Sequence, residues 1–204
     1  MRFDQPTAPH ARPLVSVPVV MRRVLFALVP AMLCHTWYFG PGLLVNFALT
    51  AAAALLTEAI VLRLRGRPTR HALRDCSALV TAALLSFALP PFVPFWIPLI
   101  GGAIAITLAK QLYGGLGKNI FNPAMVGYVF LILSFPVEMT QWLPPRMGDL
   151  DYQPLSVGEH VSYVFTGRLP AALDVDVVTG AKPRGLVKKG GRPGRACGEM
   201  RGGA

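Results

Sequence analysis

Carboxylates are scarce in this chain: ten Asp and Glu stand against twenty Lys and Arg in 204 residues. All charged residues together reach 15%, where soluble domains carry about 25%. That is too little charge for the shell of an ordinary soluble domain. With 53% hydrophobic residues and a mean hydropathy of +0.48, the chain reads as an all-α integral membrane protein. Cysteine is equally sparse. Cys34, Cys76 and Cys197 show no CxxC spacing and no His/Cys clustering, which argues against a zinc or iron–sulfur site built by this chain alone. The net charge of +10 is concentrated at one end, since the last 23 residues hold seven Lys/Arg and one acid, Glu199. The first 181 residues keep only +4, so nucleic acid is not expected as a partner of the membrane body. The segment Met1–Pro18 has four prolines and no apolar core. It is no secretory signal; residues 1–21 read as a cytoplasmic tail.

Five membrane-length segments follow. They are expected at about Val24–Phe39, Pro41–Leu62, Ser77–Leu89, Phe95–Leu108 and Ala124–Val137. Together they make a membrane domain over residues 22–137 of about five helices, some short or broken by Pro and Gly. Trp37-Tyr38-Phe39 and Trp142 are interfacial anchors. Pro90-Pro91, Pro94, Pro98 and Gly101-Gly102 interrupt the middle helices. Such breaks mark either discontinuous transporter helices that line a cavity or plain kinks with good packing. Gly101-x-x-x-Ala105-x-x-x-Ala109 is a small-residue ridge that would let helices approach closely.

The loops set the orientation. Arg2, Arg12, Arg22 and Arg23 precede the first helix; Arg63, Arg65, Arg67, Arg70 and Arg74 fill the second loop; Lys110 and Lys118 flank the fourth. The intervening loops, Gly40-Pro41 and Pro90–Pro94, carry no Lys or Arg. The positive-inside rule puts the N-terminus in the cytoplasm and residues beyond Glu138 outside.

The stretch Gln111-Leu-Tyr-Gly-Gly-Leu-Gly-Lys-Asn-Ile-Phe-Asn-Pro-Ala-Met-Val-Gly-Tyr128 is the most ordered motif. Asn122 is a good N-cap and Pro123 sits where a missing N–H costs nothing. Comparison with a phosphate-binding P-loop fails, because Leu112 stands where the first glycine belongs and Asn119 where Ser or Thr should bind magnesium. Glu58, near the inner end of the second helix, is either a functional intramembrane acid or one neutralised by Arg63 and Arg65. Asp75 reads as an N-cap or first-turn acid of the third helix.

Three segments carry a family resemblance: Asp75-Cys-Ser-Ala-Leu-Val-Thr81, Ala109-Lys-Gln-Leu-Tyr-Gly-Gly-Leu-Gly-Lys-Asn119 and Phe121-Asn-Pro-Ala-Met-Val-Gly-Tyr128. They closely resemble the RnfD/RsxD component of the Rnf (Rsx) ion-translocating oxidoreductase complex. That family is related to the NqrB component of the sodium-pumping NADH:quinone oxidoreductase. The resemblance spans roughly Arg22–Ala181. Cys76 departs from it, since the family's Asp-Gly-Ser-Ala pattern has glycine there.

The resemblance implies a multi-pass protein of the bacterial inner membrane, in contact with lipid and with the other Rnf complex subunits. It also implies a part in electron transport coupled to ion movement, with flavin as the relay. Relatives join FMN through its phosphate to a threonine on an outside-facing segment, within a pattern resembling Asp-x-x-Ser/Thr-Gly-Ala-Thr. Here Asp176, Thr179, Gly180 and Ala181 match that pattern, inside an outside loop over residues 138–181. Lys182 occupies the expected acceptor position. Lysine has no hydroxyl to form the phosphoester, and Thr179 lies three residues early, so covalent FMN is not expected on this chain.

Residues 182–204 are basic and glycine-rich without periodicity, and are expected to be disordered. A basic tail beginning inside a binding motif suggests a shifted reading frame or decaying gene near codon 182, with a natural short form as the alternative. The second membrane half of the family is not seen. The expected function is therefore that of a translocase subunit impaired by truncation and inactive alone. The competing readings are a non-redox transporter or channel, and a non-catalytic assembly remnant.

Overall fold

The computed structural model describes residues 16–69, 73–115, 117–142 and 156–167. Among these residues the secondary structure is helical and no strand occurs. Two helices are long and apolar enough to cross a bilayer, α1 (Val17–Phe39) and α2 (Gly42–Leu64). At 23 residues each they measure about 34 Å. Three shorter apolar helical segments pack with them: α3 (Ser77–Ala88), α4 (Trp96–Ile104) with its π-helical continuation Ala105–Gln111, and α5 (Pro123–Ser134).

The ends of these elements have local causes. α1 starts well before the expected Val24, because Pro18 lies in the first turn, where its missing N–H costs nothing. Arg22 Nε then donates back to Pro18 O at 3.2 Å, so the arginines extend the helix rather than precede it. Gly40, at φ 85°, closes it. α3 stops at the paired prolines 90 and 91. Asn122 caps α5 as expected, its Oδ1 accepting from Ala124 N–H at 3.0 Å. The expected continuous helix to Val137 is instead broken: α5 ends at Ser134, and a short α6 (Pro136–Met139) follows. Phe135 precedes a proline and is forced to φ −134°, ψ 60°. A further helix that the pattern of apolar residues did not announce, α7 (Val157–Thr166), has a capping box in which Ser156 and Glu159 satisfy each other's backbone N–H.

α3 is launched differently from the expectation. Asp75 Oδ1 accepts from Ser77 N–H at 2.8 Å and from the Ser77 hydroxyl at 2.6 Å. The residue between them, Cys76, is in the left-handed region at φ 61°, alone among the described non-glycine residues. The family pattern's glycine falls on the position whose backbone favours glycine.

The core is built on close backbone approach. Gly101 and Gly102 on α4 and Gly127 on α5 have no room for a side chain: a Cβ on Gly127 would lie 2.8 Å from Gly101 O, and one on Gly102 would lie 2.9 Å from Thr50 O. Ala105 and Ala109 complete the ridge, both buried. Leu85, Leu89, Val93, Ile97 and Leu131 fill the space around it. α1 stands at the periphery, with no fully buried residue in its span. The motif residues Asp176, Thr179, Gly180, Ala181 and Lys182, and the basic tail, lie outside the described residues.

Two outcomes follow for equilibrium unfolding in mixed micelles. Gly127→Val should cost about 1–3 kcal/mol through overpacking against Gly101 and Ala105. Cys76→Gly should stabilise by about 1 kcal/mol, because it removes a left-handed penalty while leaving the Asp75–Ser77 bonds in place.

Candidate functional site

At the glycine-loop end of the helices, three segments bring charge into the interior. α2 supplies Glu58, fully buried four residues after Ala54. The π-helical segment supplies Lys110 and Gln111, and the start of α3 supplies Ser77, with Asp75 just ahead of the helix. The π-helical geometry matters here. Its widened turn is visible in Leu112 N–H donating to Thr107 O at 2.9 Å and Gly115 N–H donating to Lys110 O at 3.0 Å, each five residues back. It lets Ala109, Lys110 and Gln111 all be buried in succession. Such insertions recur at functional sites.

Lys110 Nζ donates to Glu58 Oε1 at 2.5 Å and to Ser77 Oγ at 2.6 Å. Gln111 Nε2 donates to the same Glu58 oxygen at 3.2 Å. The Ser77 hydroxyl, which accepts from Lys110, donates onward to Asp75 Oδ1 at 2.6 Å. Asp75 also faces Lys110, its Oδ2 at 4.0 Å. A hydrogen-bonded chain therefore runs Glu58–Lys110–Ser77–Asp75, from a fully buried carboxylate to one that is 18% exposed. With all three ionisable groups charged, the cluster carries one negative charge in excess. Glu58 Oε2 is buried with no hydrogen-bond partner among the described residues. Two carboxylates, one cation and an open carboxylate oxygen can hold a small cation or pass a proton between Glu58 and the rim at Asp75.

This corrects the pairing expected for Glu58. Its partner is Lys110, not Arg63 or Arg65. Arg65 Nη1 instead donates to the carbonyl of Gln111, and Arg67 Nη1 donates to Gly114 O at 3.4 Å. The arginines tie the end of α2 to the π-helical segment and to the glycine loop, and Lys110 is left to enter the interior. The sequence held one signal for Lys110, its place directly after the apolar run and the Gly101/Ala105/Ala109 ridge.

The opposite end is closed by α7. His160 is buried, and its Nε2 donates to Pro91 O at 2.8 Å, while the ring packs on Phe92. Burial holds His160 below its usual pKa, so the neutral tautomer with a proton on Nε2 is the one that fits. Phe95 N–H donates to Val164 O at 3.2 Å, and Gly42 must lack a side chain because His160 Cε1 would lie 2.7 Å from its Cβ. The capping box was the sequence signal for this helix.

The flavin motif expected at Asp176, Thr179, Gly180 and Ala181 lies outside the described residues, and the lysine that follows it has an amine and no hydroxyl with which to form a phosphoester.

Comparison with known proteins comes to the same family as the three motif segments. Over 208 residues the chain is 43% identical to the D subunit of the ion-translocating oxidoreductase complex of Aeromonas hydrophila, covering 97% of this chain and 58% of that protein. It is 48% identical over 177 residues to the corresponding protein of Alcanivorax borkumensis, covering 87% and 48%. To that of Pseudomonas aeruginosa it is 52% identical over 145 residues, covering 71% and 42%. The chain thus spans about half the length of the curated relatives it matches. The model of the NQR2, RnfD, RnfE family matches residues 5–201, beyond both ends of the Arg22–Ala181 resemblance. The chain belongs to the NQR2, RnfD, RnfE family.

Proposed function

We propose that this chain serves as a membrane subunit of a complex that couples electron transfer to ion translocation, with Glu58 as an ion-handling group. The observation that carries the proposal is the Glu58–Lys110–Ser77–Asp75 chain in a membrane-spanning helix bundle. An intramembrane acid is by default a functional candidate, and Glu58 Oε2 has no protein partner among the described residues. Relatives named as ion-translocating oxidoreductase subunits supply the context. Their name also implies partner subunits, which the peripheral α1 has the exposed apolar surface to meet, at Phe26, Leu33 and Trp37.

The direction of the domain follows the same reading. Arg65 and Arg67 lie at the end that holds the ion pair, through their contacts with the π-helical segment and loop, and Arg63, Arg74 and Lys118 belong to the same two loops in the sequence. That end is cytoplasmic on the positive-inside rule, in the bacterial inner membrane, and α7 lies on the outer side. An ion entering from the cytoplasm would meet Asp75 first. It would exchange onto Glu58 as Lys110 shifts its hydrogen bonds between Glu58 and Ser77. Electron carriage belongs on this reading to partner subunits, and this chain carries no covalent FMN.

The ion-handling role separates from stability in a double variant. Lys110→Met alone should cost about 3–5 kcal/mol by leaving Glu58 charged and unpaired. Combining it with Glu58→Gln should recover most of that loss, measured by unfolding in micelles. In proteoliposomes of the assembled complex, the folded double variant should lose redox-driven ion uptake. Uptake at the wild-type rate would remove Glu58 from the pathway.

Coexpression with the flavin transferase should give no fluorescent flavin band on a denaturing gel, and Lys182→Thr should restore one. A band from the unaltered chain would overturn the absence of covalent FMN.

A further inference from the structure

The end of the domain that holds the ion pair carries more positive charge than its carboxylates answer. Glu58 and Asp75 are both committed to the interior chain through Lys110 and Ser77. Arg67 and Lys118 are exposed at the same end, and neither forms an ion pair among the described residues.

The glycine loop brings these two cations to one place. Arg67 follows α2 by three residues, and its Nη1 donates to Gly114 O at 3.4 Å. Lys118 returns to the same glycine from the far end of the loop. Its N–H donates to Gly115 O at 3.3 Å, and its Cδ lies 3.6 Å from where a Cβ of Gly114 would stand. The backbone at Gly114 and Gly115 makes that return possible, with φ of 95° and 112°, values that residues with a side chain resist. Two cations from different loops thus meet at Gly114, and the stretch Gln111–Asn122 contains no acid.

The surface beside them is apolar. Leu112, Ile120 and Phe121 flank the loop and are 64%, 75% and 56% exposed. A soluble anion has no use for three large apolar side chains next to its cations. A phospholipid does, because its phosphate meets the cations while its acyl chains cover the apolar groups. The depth also fits. α2 is long and apolar enough to cross a bilayer, so Arg67, three residues past its end, stands where headgroups lie.

We propose that Arg67 and Lys118, held at Gly114, bind the headgroup of an anionic phospholipid whose acyl chains lie against Leu112, Ile120 and Phe121. The ligand class follows from the charge. A zwitterionic headgroup brings a cation of its own to two cations, whereas an anionic one brings only the charge they lack. Basic clusters at the end of a membrane helix recognise such lipids. The inference uses the loop alone and does not depend on the ion-handling reading of Glu58.

The test titrates phosphatidylglycerol or phosphatidylcholine into the 204-residue chain in detergent and counts bound lipid by native mass spectrometry. Each Lys or Arg near an anionic surface contributes about a factor of five in affinity, so wild type should favour phosphatidylglycerol roughly 25-fold. Arg67→Gln combined with Lys118→Gln should erase that preference. Arg67→Lys combined with Lys118→Arg should keep it. Arg22→Gln combined with Arg23→Gln removes the same charge from α1 and should keep it too. Glycerol 3-phosphate, which has the phosphate and no acyl chains, should fail to displace the lipid at equal concentration. A full preference in the Arg67/Lys118 glutamine pair overturns the site. An equal loss in both glutamine pairs also overturns it, since net charge alone then draws the lipid. Displacement by glycerol 3-phosphate overturns it in favour of a soluble anion, and a wild type without preference overturns it outright. None of these outcomes bears on ion uptake through Glu58, which the assembled complex decides separately.

Discussion

The bond between Lys110 and Glu58 is the constraint to which the rest of this domain is fitted. Neither group can be carried alone into a bilayer, where an unpaired charge costs several kcal/mol even after relaxation. They are 52 residues apart in the chain, so their meeting requires α2 and the α4 segment to lie against each other at one depth. Close approach of the two helices requires small residues, and about two turns from the ion pair Gly102 faces Thr50 O and Ala53. It also requires the chain to turn Lys110 inward beside Gln111, which the π-helical stretch does. Removing any one of these leaves a buried charge without its partner.

The same constraint explains which parts of the structure were legible in the sequence. Features with a local cause were readable: the Asn122 cap, the Pro90-Pro91 stop, the Gly101/Ala105/Ala109 ridge. Each depends on residues within a turn or two. The partner of Glu58 was not readable, because two arginines stood closer in sequence than the lysine that pairs with it. Sequence distance favoured Arg63 and Arg65, but Arg65 and its neighbour Arg67 run out along the helix end to backbone carbonyls instead. The π-helical register was equally invisible, since the residues Ala105–Gln111 would serve an α-helix as well. It is selected by what Lys110 and Gln111 must reach.

Cys76 stands out in the family pattern, and its backbone conformation gives the physical reason. As a departure from a family glycine it carried no physical meaning. At φ 61° it becomes a strained link that aims Asp75 at Ser77, and so holds the outer member of the hydrogen-bonded chain in place. The strain is local to the site, where sparsely populated backbone conformations tend to gather. Four residues scattered along the sequence thus form one unit, with the stiff turn at its exposed end and the open carboxylate oxygen at its buried end.

Stability alone does not account for such a unit. A buried ion pair replaced by apolar side chains of similar volume is often no less stable. The surrounding helices are rich in leucine and alanine that could fill the space. What an apolar filling could not supply is a charge whose surroundings change when one proton or one ion moves. Lys110 has three donors, and two are aimed at Glu58 and at Ser77. On the proposed ion-handling role, a cation arriving at Glu58 would weaken the first bond and leave the second, and Lys110 would lean toward Ser77 and Asp75 without leaving the interior. The geometry therefore places one positive charge within reach of two carboxylates. A site that must take up an ion and let it go needs that property, and a packed core has no use for it.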